Sequence, residues 1–229
     1  MKKQAKIMYP FFLGILFLGL VACGGEAQKE SKKEEGELPF LGQKTIDTFE
    51  MEGKTVTDTA YHKIADFSFL NQAGERVDNF TVDGKVYVAD FFFTSCPTIC
   101  PIMKTQMLRV YEAFGDEPDF KILSHSIDPE HDTVELLAQF ASDLGVEDTR
   151  TWHFLTGDQE KIFEIGQTSY LTTAMEDKDE PGGYLHSGAF VLIDQNGHIR
   201  GIYDGTREDQ VDRLLKDIPK LLKKEGDHA

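Results

Sequence analysis

Two apolar stretches of this chain predict different things. Residues 11–22 form an almost unbroken apolar run of 12 residues behind Lys2, Lys3 and Lys6. A membrane span needs roughly 20 such residues, so the length predicts a signal-peptide core, with residues 1–22 as the signal. Residues 85–93, KVYVADFFF, are β-branched and aromatic with Asp90 as the one polar interruption. That pattern predicts a central strand buried on both faces.

Further elements follow from periodicity and punctuation. Residues 64–70 and 75–80 flank Asn71-Gln72-Ala73-Gly74 and predict a small hairpin. Met103, Met107, Val110, Tyr111 and Phe114 recur at helical spacing until Gly115. The two methionines on that stripe read as core. Residues 120–127 predict the next strand, broken by Asp128-Pro129, where Asp128 reads as a loop-capping residue. Asp132, with Glu135 three residues later, reads as the cap of a helix over 133–144. A short strand at 151–155 precedes a helix capped by Asp158 that runs to about 168. Residues 175–183 read as a charged, glycine-bearing loop leading to His186. Residues 188–193 and 198–203 flank Asp194-Gln195-Asn196-Gly197, a strong hairpin signal. An amphipathic helix over 208–222 closes the pattern, and its Pro219 should kink or split it.

A strand–helix–strand unit implies parallel strands, and the late hairpin adds antiparallel ones. The expected fold is therefore α/β, a mixed sheet flanked by helices, and a thioredoxin-like architecture fits it best. A flavodoxin-like sheet, purely parallel, has no place for the 188–203 hairpin.

Composition changes the picture at the N-terminus. Leu20-Val21-Ala22-Cys23 resembles the bacterial lipobox, in which the signal is cut before the cysteine and its sulfur is acylated. Residues 24–37, GGEAQKESKKEEGE, hold no large apolar side chain and cannot bury enough surface to offset ordering entropy. The expectation is a lipid anchor on Cys23, a flexible linker over 23–37, a folded domain over 38–224 and a tail over 225–229. The domain would stand on the extracytoplasmic face, periplasmic or outer, of a membrane. At roughly 185 residues it can build a sizeable core. The formal charge is −16, and losing residues 1–22 removes three lysines and no acids, leaving −19. A chain this acidic is a poor nucleic-acid binder.

With Cys23 acylated, Cys96 and Cys100 are the only thiols of the domain. They can form a disulfide in an exported compartment, but so short a loop contributes little as a staple, which favours chemistry over scaffolding. Both lie where a strand gives way to a helix, and a helix N-terminus lowers cysteine pKa. Soft thiolates select copper(I), zinc or iron–sulfur clusters. A closed zinc site wants four protein ligands, whereas copper accepts two sulfurs and an imidazole. His125 and His153 fall in strands and read as packed, and His198 falls in a hairpin turn. Position alone leaves His186 open between a ligand and a satisfied histidine at a hairpin edge.

The runs VADFFFTSCPTICPIMKTQM, SIDPEHDTVELLAQFA, WHFLTG and LHSGAFVLIDQNGHIRGIYDG resemble the SCO/SenC family over about residues 62–222. That family comprises copper chaperones for assembly of the dinuclear copper site of cytochrome c oxidase. The resemblance implies a thioredoxin-like fold with an inserted hairpin, membrane anchoring, and one copper per chain, Cu(I) or Cu(II), on Cys96, Cys100 and His186. It matches Asp90 to an acidic residue near the motif, where the residue alone also reads as a carboxylate satisfied by backbone or a hydroxyl. The implied partner is the copper-site subunit of cytochrome c oxidase or another exported cuproprotein. A metallochaperone need not be an enzyme. The alternative, a thiol–disulfide reductase that keeps a partner's copper-site cysteines reduced, would use Cys96 and Cys100 catalytically. A thiol peroxidase attacking through Cys96 and a copper or redox sensor are weaker fits, the first because no peroxide-activating signature is present.

Overall fold

The computed structural model describes residues 36–51, 53–146 and 149–222. The expected signal peptide, Cys23, most of the expected linker and the expected tail lie outside them. Among the described residues no helix is long and apolar enough to cross a membrane.

The chain begins with a hairpin of β1 (Lys44–Met51) and β2 (Lys54–Tyr61), paired in full register from Lys44 opposite Tyr61 to Met51 opposite Lys54. Sequence reading assigned no element here. Nearly every side chain of the hairpin is exposed, so neither strand carries the alternation that burial of one face imposes. The next hairpin, β3 (Ser68–Leu70) and β4 (Arg76–Asp78), is where the Asn71–Gly74 turn predicts it. It is shorter than expected because Asp78 caps α1 (Asn79–Val82), accepting from the Phe80 N–H at 3.1 Å.

The central sheet has the order β11 (Ile199–Asp204), β10 (Ala189–Ile193), β5 (Val86–Phe92), β6 (Phe120–Ser126), β7 (Trp152–Leu155). Its middle strand is β5 (Val86–Phe92), all seven residues buried. Each such Val or Phe contributes about 1.5–3 kcal/mol when taken from water, which is why this run has no polar face. Helix α2 (Cys100–Phe114) crosses to β6 (Phe120–Ser126), and α3 (Val134–Asp143) crosses to β7 (Trp152–Leu155), leaving β5, β6 and β7 parallel. Met103 and Met107 of α2 are core residues. Helix α4 (Gln159–Glu164) loosens into a π turn over Ile165–Ser169. The hairpin β10 (Ala189–Ile193) and β11 (Ile199–Asp204) then adds antiparallel to β5, as the Asp194–Gly197 turn predicts. One face of the sheet presents Asp90, Phe92, Ser124, Trp152 and Phe154 toward α2 and α3. The other presents Phe91 and His125 to Phe67, Phe69 and Tyr170. This mixed, helix-covered sheet is the thioredoxin-like architecture.

Three local expectations need correction. Helix α5 (Glu208–Leu222) is not split at Pro219: the missing N–H forfeits one bond to the preceding turn, and only three helical residues follow it. The segment 175–183 is not simply a loop. It contributes to a further hairpin, β8 (Ala174–Glu176) and β9 (Tyr184–His186), with Ala174 opposite His186. Helix α3 is capped by Thr133, whose side chain accepts from the Leu136 N–H at 3.3 Å, and not by Asp132. Asp132 is fully buried and turned toward Thr94 and Ser126. Two adjacent residues offered a cap, and the one with buried donors waiting was drawn inward.

Candidate metal centre

Both cysteines owe their position to the junction of β5 and α2. The strand ends at Phe92, and the Cys96 N–H turns back onto the Phe93 carbonyl at 3.2 Å. Pro97 and Pro101 stiffen the turn, and Pro101 sits in the first turn of α2, where its missing N–H costs nothing. Helix α2 starts at Cys100 itself, so Cys96 stands before the helix and Cys100 inside it.

The third residue arrives from 86 positions further along. His186 ends β9, and its Nε2 lies 3.4 Å from Cys100 Sγ and 3.9 Å from Cys96 Sγ. The three donor atoms lie within 4.8 Å of one another, and all three residues are buried. Metal–sulfur and metal–nitrogen bonds of roughly 2.3 and 2.0 Å place donors about 3.5–4 Å apart, so this set fits one soft ion without rebuilding. The two cysteines are unpaired thiols here. The Phe93 ring packs edge-on beside His186 at 5.8 Å between centroids and beside Tyr184 at 5.4 Å. Gly182 (φ +93°) lies so close to that ring that a Cβ there would stand 2.8 Å from it.

The thiols differ in acidity. Burial pushes Cys96 up, but hydrogen bonds from the Thr98 hydroxyl and from the backbone N–H groups of Cys100 and Thr98 outweigh it and hold Cys96 below the ordinary thiol value. Cys100 goes the other way. Burial raises it strongly, and the neighbouring Cys96 and Asp90 charges add to the shift. The helix N-terminus therefore does not activate both thiols, as its position suggested, because burial of the deeper one outweighs the Phe93 backbone hydrogen bond that lowers it. Burial also lowers His186. It stays neutral at physiological pH, the form that binds metal.

Asp90 does not reach the donors. It is buried on β5, accepts from Ser124 Oγ at 2.5 Å, and Ser124 in turn accepts from Trp152 Nε1 at 2.9 Å. Burial raises its pKa to about 7, against the Ser124 hydrogen bond that lowers it. Asp90 and Cys100 line one small cavity of about 20 Å³ with Met103, Met107 and Trp152, room for one water. Asp90 is thus satisfied by a hydroxyl and close enough to Cys100 to bias its ionisation. Of the other strand histidines, His125 is inert: it stacks on Phe91 at 4.9 Å and burial pulls it down to about 4. Phe93, Thr94, Tyr184 and Asp132 shape the site and escaped sequence reading. The runs that carry the family resemblance contain Phe93, Thr94 and Asp132 but assign them no part in the site.

Fold and site together define a thioredoxin-like domain carrying two thiols and an imidazole in soft-metal geometry. A family model described as SCO1/SenC matches residues 55–223, and the chain belongs to that family. It is 28% identical over 215 residues to the SCO1 protein homolog of Bacillus subtilis, covering 93% of this chain and 96% of that one. Its structure resembles that of a SCO1/SenC family lipoprotein from Bacillus anthracis at 32% identity and a TM-score of 0.64, covering 71% of this chain and 96% of that one. It also resembles BsSco, a member of the Sco family of cytochrome c oxidase assembly proteins in which a disulfide switch was identified. That match has 30% identity and a TM-score of 0.61, covering 71% of this chain and 95% of that one.

Proposed function

We propose that this protein is a copper metallochaperone that binds one copper ion through Cys96, Cys100 and His186 and delivers it to the copper-site subunit of cytochrome c oxidase. The observation that carries the reading is the convergence of two thiols and a neutral imidazole, all buried, within bonding reach of one ion. Thiolate softness and a three-donor set favour copper over zinc. Family membership supports the oxidase as destination. Cys23 carries the lipid that holds the domain on the extracytoplasmic face, a reading that the lipobox-like Leu20–Cys23 sequence supports.

Titration of the reduced protein without residues 1–22 tests the metal: one copper per chain is expected, bound more tightly than zinc. Zinc bound more tightly than copper(I) would sink the assignment. In cells, loss of the protein should lower cytochrome oxidase activity, and added copper should partly restore it. The anchor is tested by Cys23→Ser, which should abolish fatty-acid labelling and release the domain into the soluble fraction.

One observation favours a second reading. An attacking thiol lowered in pKa beside a buried partner raised in pKa is the asymmetry that disulfide exchange uses. A reductase that prepares the acceptor's cysteines needs Cys96 and Cys100 but gives His186 no obligatory part.

A further inference from the structure

The donors stand on two segments that do not pair with each other: the turn from β5 into α2, and β9, which pairs with β8. Both segments are tied to the same third one, the turn of residues 127–132 that leaves β6. On the cysteine side, Asp132 is fully buried and surrounded by donors. It accepts from the Thr94 N–H at 3.0 Å, from the Thr94 hydroxyl, and from Ser126 Oγ at 2.6 Å, and His131 Nδ1 lies 2.9 Å away. Thr94 is two residues before Cys96. On the histidine side, the Tyr184 hydroxyl donates to Asp128 Oδ1 at 3.0 Å. Gln159 Nε2 supports that contact, donating to Tyr184 Oη at 3.3 Å and to the Ile127 carbonyl at 3.0 Å.

Tyr184 is two residues before His186 on the same strand, so the two side chains share a face, and both rest on the Phe93 ring. The turn between the two aspartates is itself closed: the His131 and Asp132 N–H groups donate to the Asp128 carbonyl at 3.1 and 2.8 Å. Two carboxylates one turn apart thus reach the two halves of the site, and neither touches a donor atom.

We propose that the 127–132 turn is the positioning element of the metal centre, with Asp132 fixing the cysteine segment through Thr94 and Asp128 fixing the histidine strand through Tyr184. The turn sets the separation of imidazole and sulfurs before any ion binds. Its copper consequences rest on the function proposed above; its consequences for the metal-free protein do not.

The test uses two mild variants, Tyr184→Phe and Thr94→Val, each of which removes one hydroxyl. In the reduced, metal-free protein, hydrogen exchange should quicken about fivefold, the scale of one hydrogen bond, at residues 184–187 in the first and at 94–96 in the second. With copper(II), Tyr184→Phe should weaken binding about fivefold and shift the thiolate charge-transfer band, with copper(I) affinity within about twofold. Thr94→Val should weaken both ions alike. Asp128→Ala should act in the same direction as Tyr184→Phe, and the double variant should be no worse than Tyr184→Phe alone, since that variant already removes the Tyr184–Asp128 bond together with the Gln159 contact. Unchanged exchange at 184–187 in Tyr184→Phe, or additive losses in the double variant, would overturn the proposal. If the wild-type protein bound no copper, the function would fall, while the exchange arms would still decide the brace.

Discussion

The cysteine half of the site is built into the centre of the domain, and the histidine half hangs at its periphery. Cys96 and Cys100 follow β5, bounded by parallel β6 on one side and antiparallel β10 on the other, and lead into the 15-residue α2. His186 stands on a three-residue strand paired to another of three residues, joined by a turn whose Gly182 and Gly183 both have positive φ. Moving the cysteines means disturbing the core. Moving the histidine means opening a short hairpin with few bonds to lose, which is where local unfolding is cheapest. The sulfurs thus stand on the more deeply anchored segment and the imidazole on the shorter one.

The strongest way to break the contrast is to remove a sulfur. Cys96→Ser and Cys100→Ser should each weaken copper(I) by more than about 100-fold, beyond the range typical of losing a supporting residue, as read by competition with a chelator. Retained tight binding in either would show that the two thiols do not act as a pair. His186→Ala comes next. Copper(II) should weaken by at least roughly tenfold, the least that losing even a supporting residue costs, and copper(I) by less, while disulfide exchange on a model substrate stays within roughly tenfold, about 1.4 kcal/mol of barrier. Full oxidase activity in cells carrying that variant, despite lost copper binding, would favour the reductase.

Gly182→Ala and Gly183→Ala sharpen the comparison at smaller scale. Both positions have positive φ, a conformation costing a side chain about 1–2 kcal/mol, but only at Gly182 would the new Cβ also meet Phe93. Gly182→Ala should therefore weaken copper(II) more than Gly183→Ala does, with little change in the main unfolding transition, because the strain falls on the hairpin. Equal effects would show that Phe93 plays no part in seating the histidine strand.

The smallest effect is the pH dependence of thiol reactivity. Cys96 is held below the ordinary value of 9.0 and Cys100 is raised above it. A lowered acid stays ionised to lower pH, so alkylation of the reduced protein should titrate at Cys96 with a midpoint below 9.0 and leave Cys100 unmodified through that range. Peptide mapping of the alkylated site checks this, and equal labelling of both cysteines would contradict the asymmetry.

What the amino-acid sequence determined by itself is the part carried by local pattern. A short β-branched and aromatic run with no polar face reads as an inner strand, CPTICP behind it reads as a helix start, and Asp194-Gln195-Asn196-Gly197 between two apolar runs reads as a hairpin turn. The chemistry of the donors was legible for the same reason, since softness belongs to residue type. The tertiary structure decided what depends on distant partners. β1 and β2 bury neither face and so leave no period to read. Asp132 left the helix cap for donors on β6 and on the segment after β5. Cys100 lost its acidity to burial that no sequence neighbour imposes. His186 meets Cys100 across 86 residues of chain, from a strand that exists as the pairing partner of β8. Local pattern acts over a few residues, through backbone geometry and burial of one face. A metal site closes over the whole chain, and only the folded packing supplies that distance.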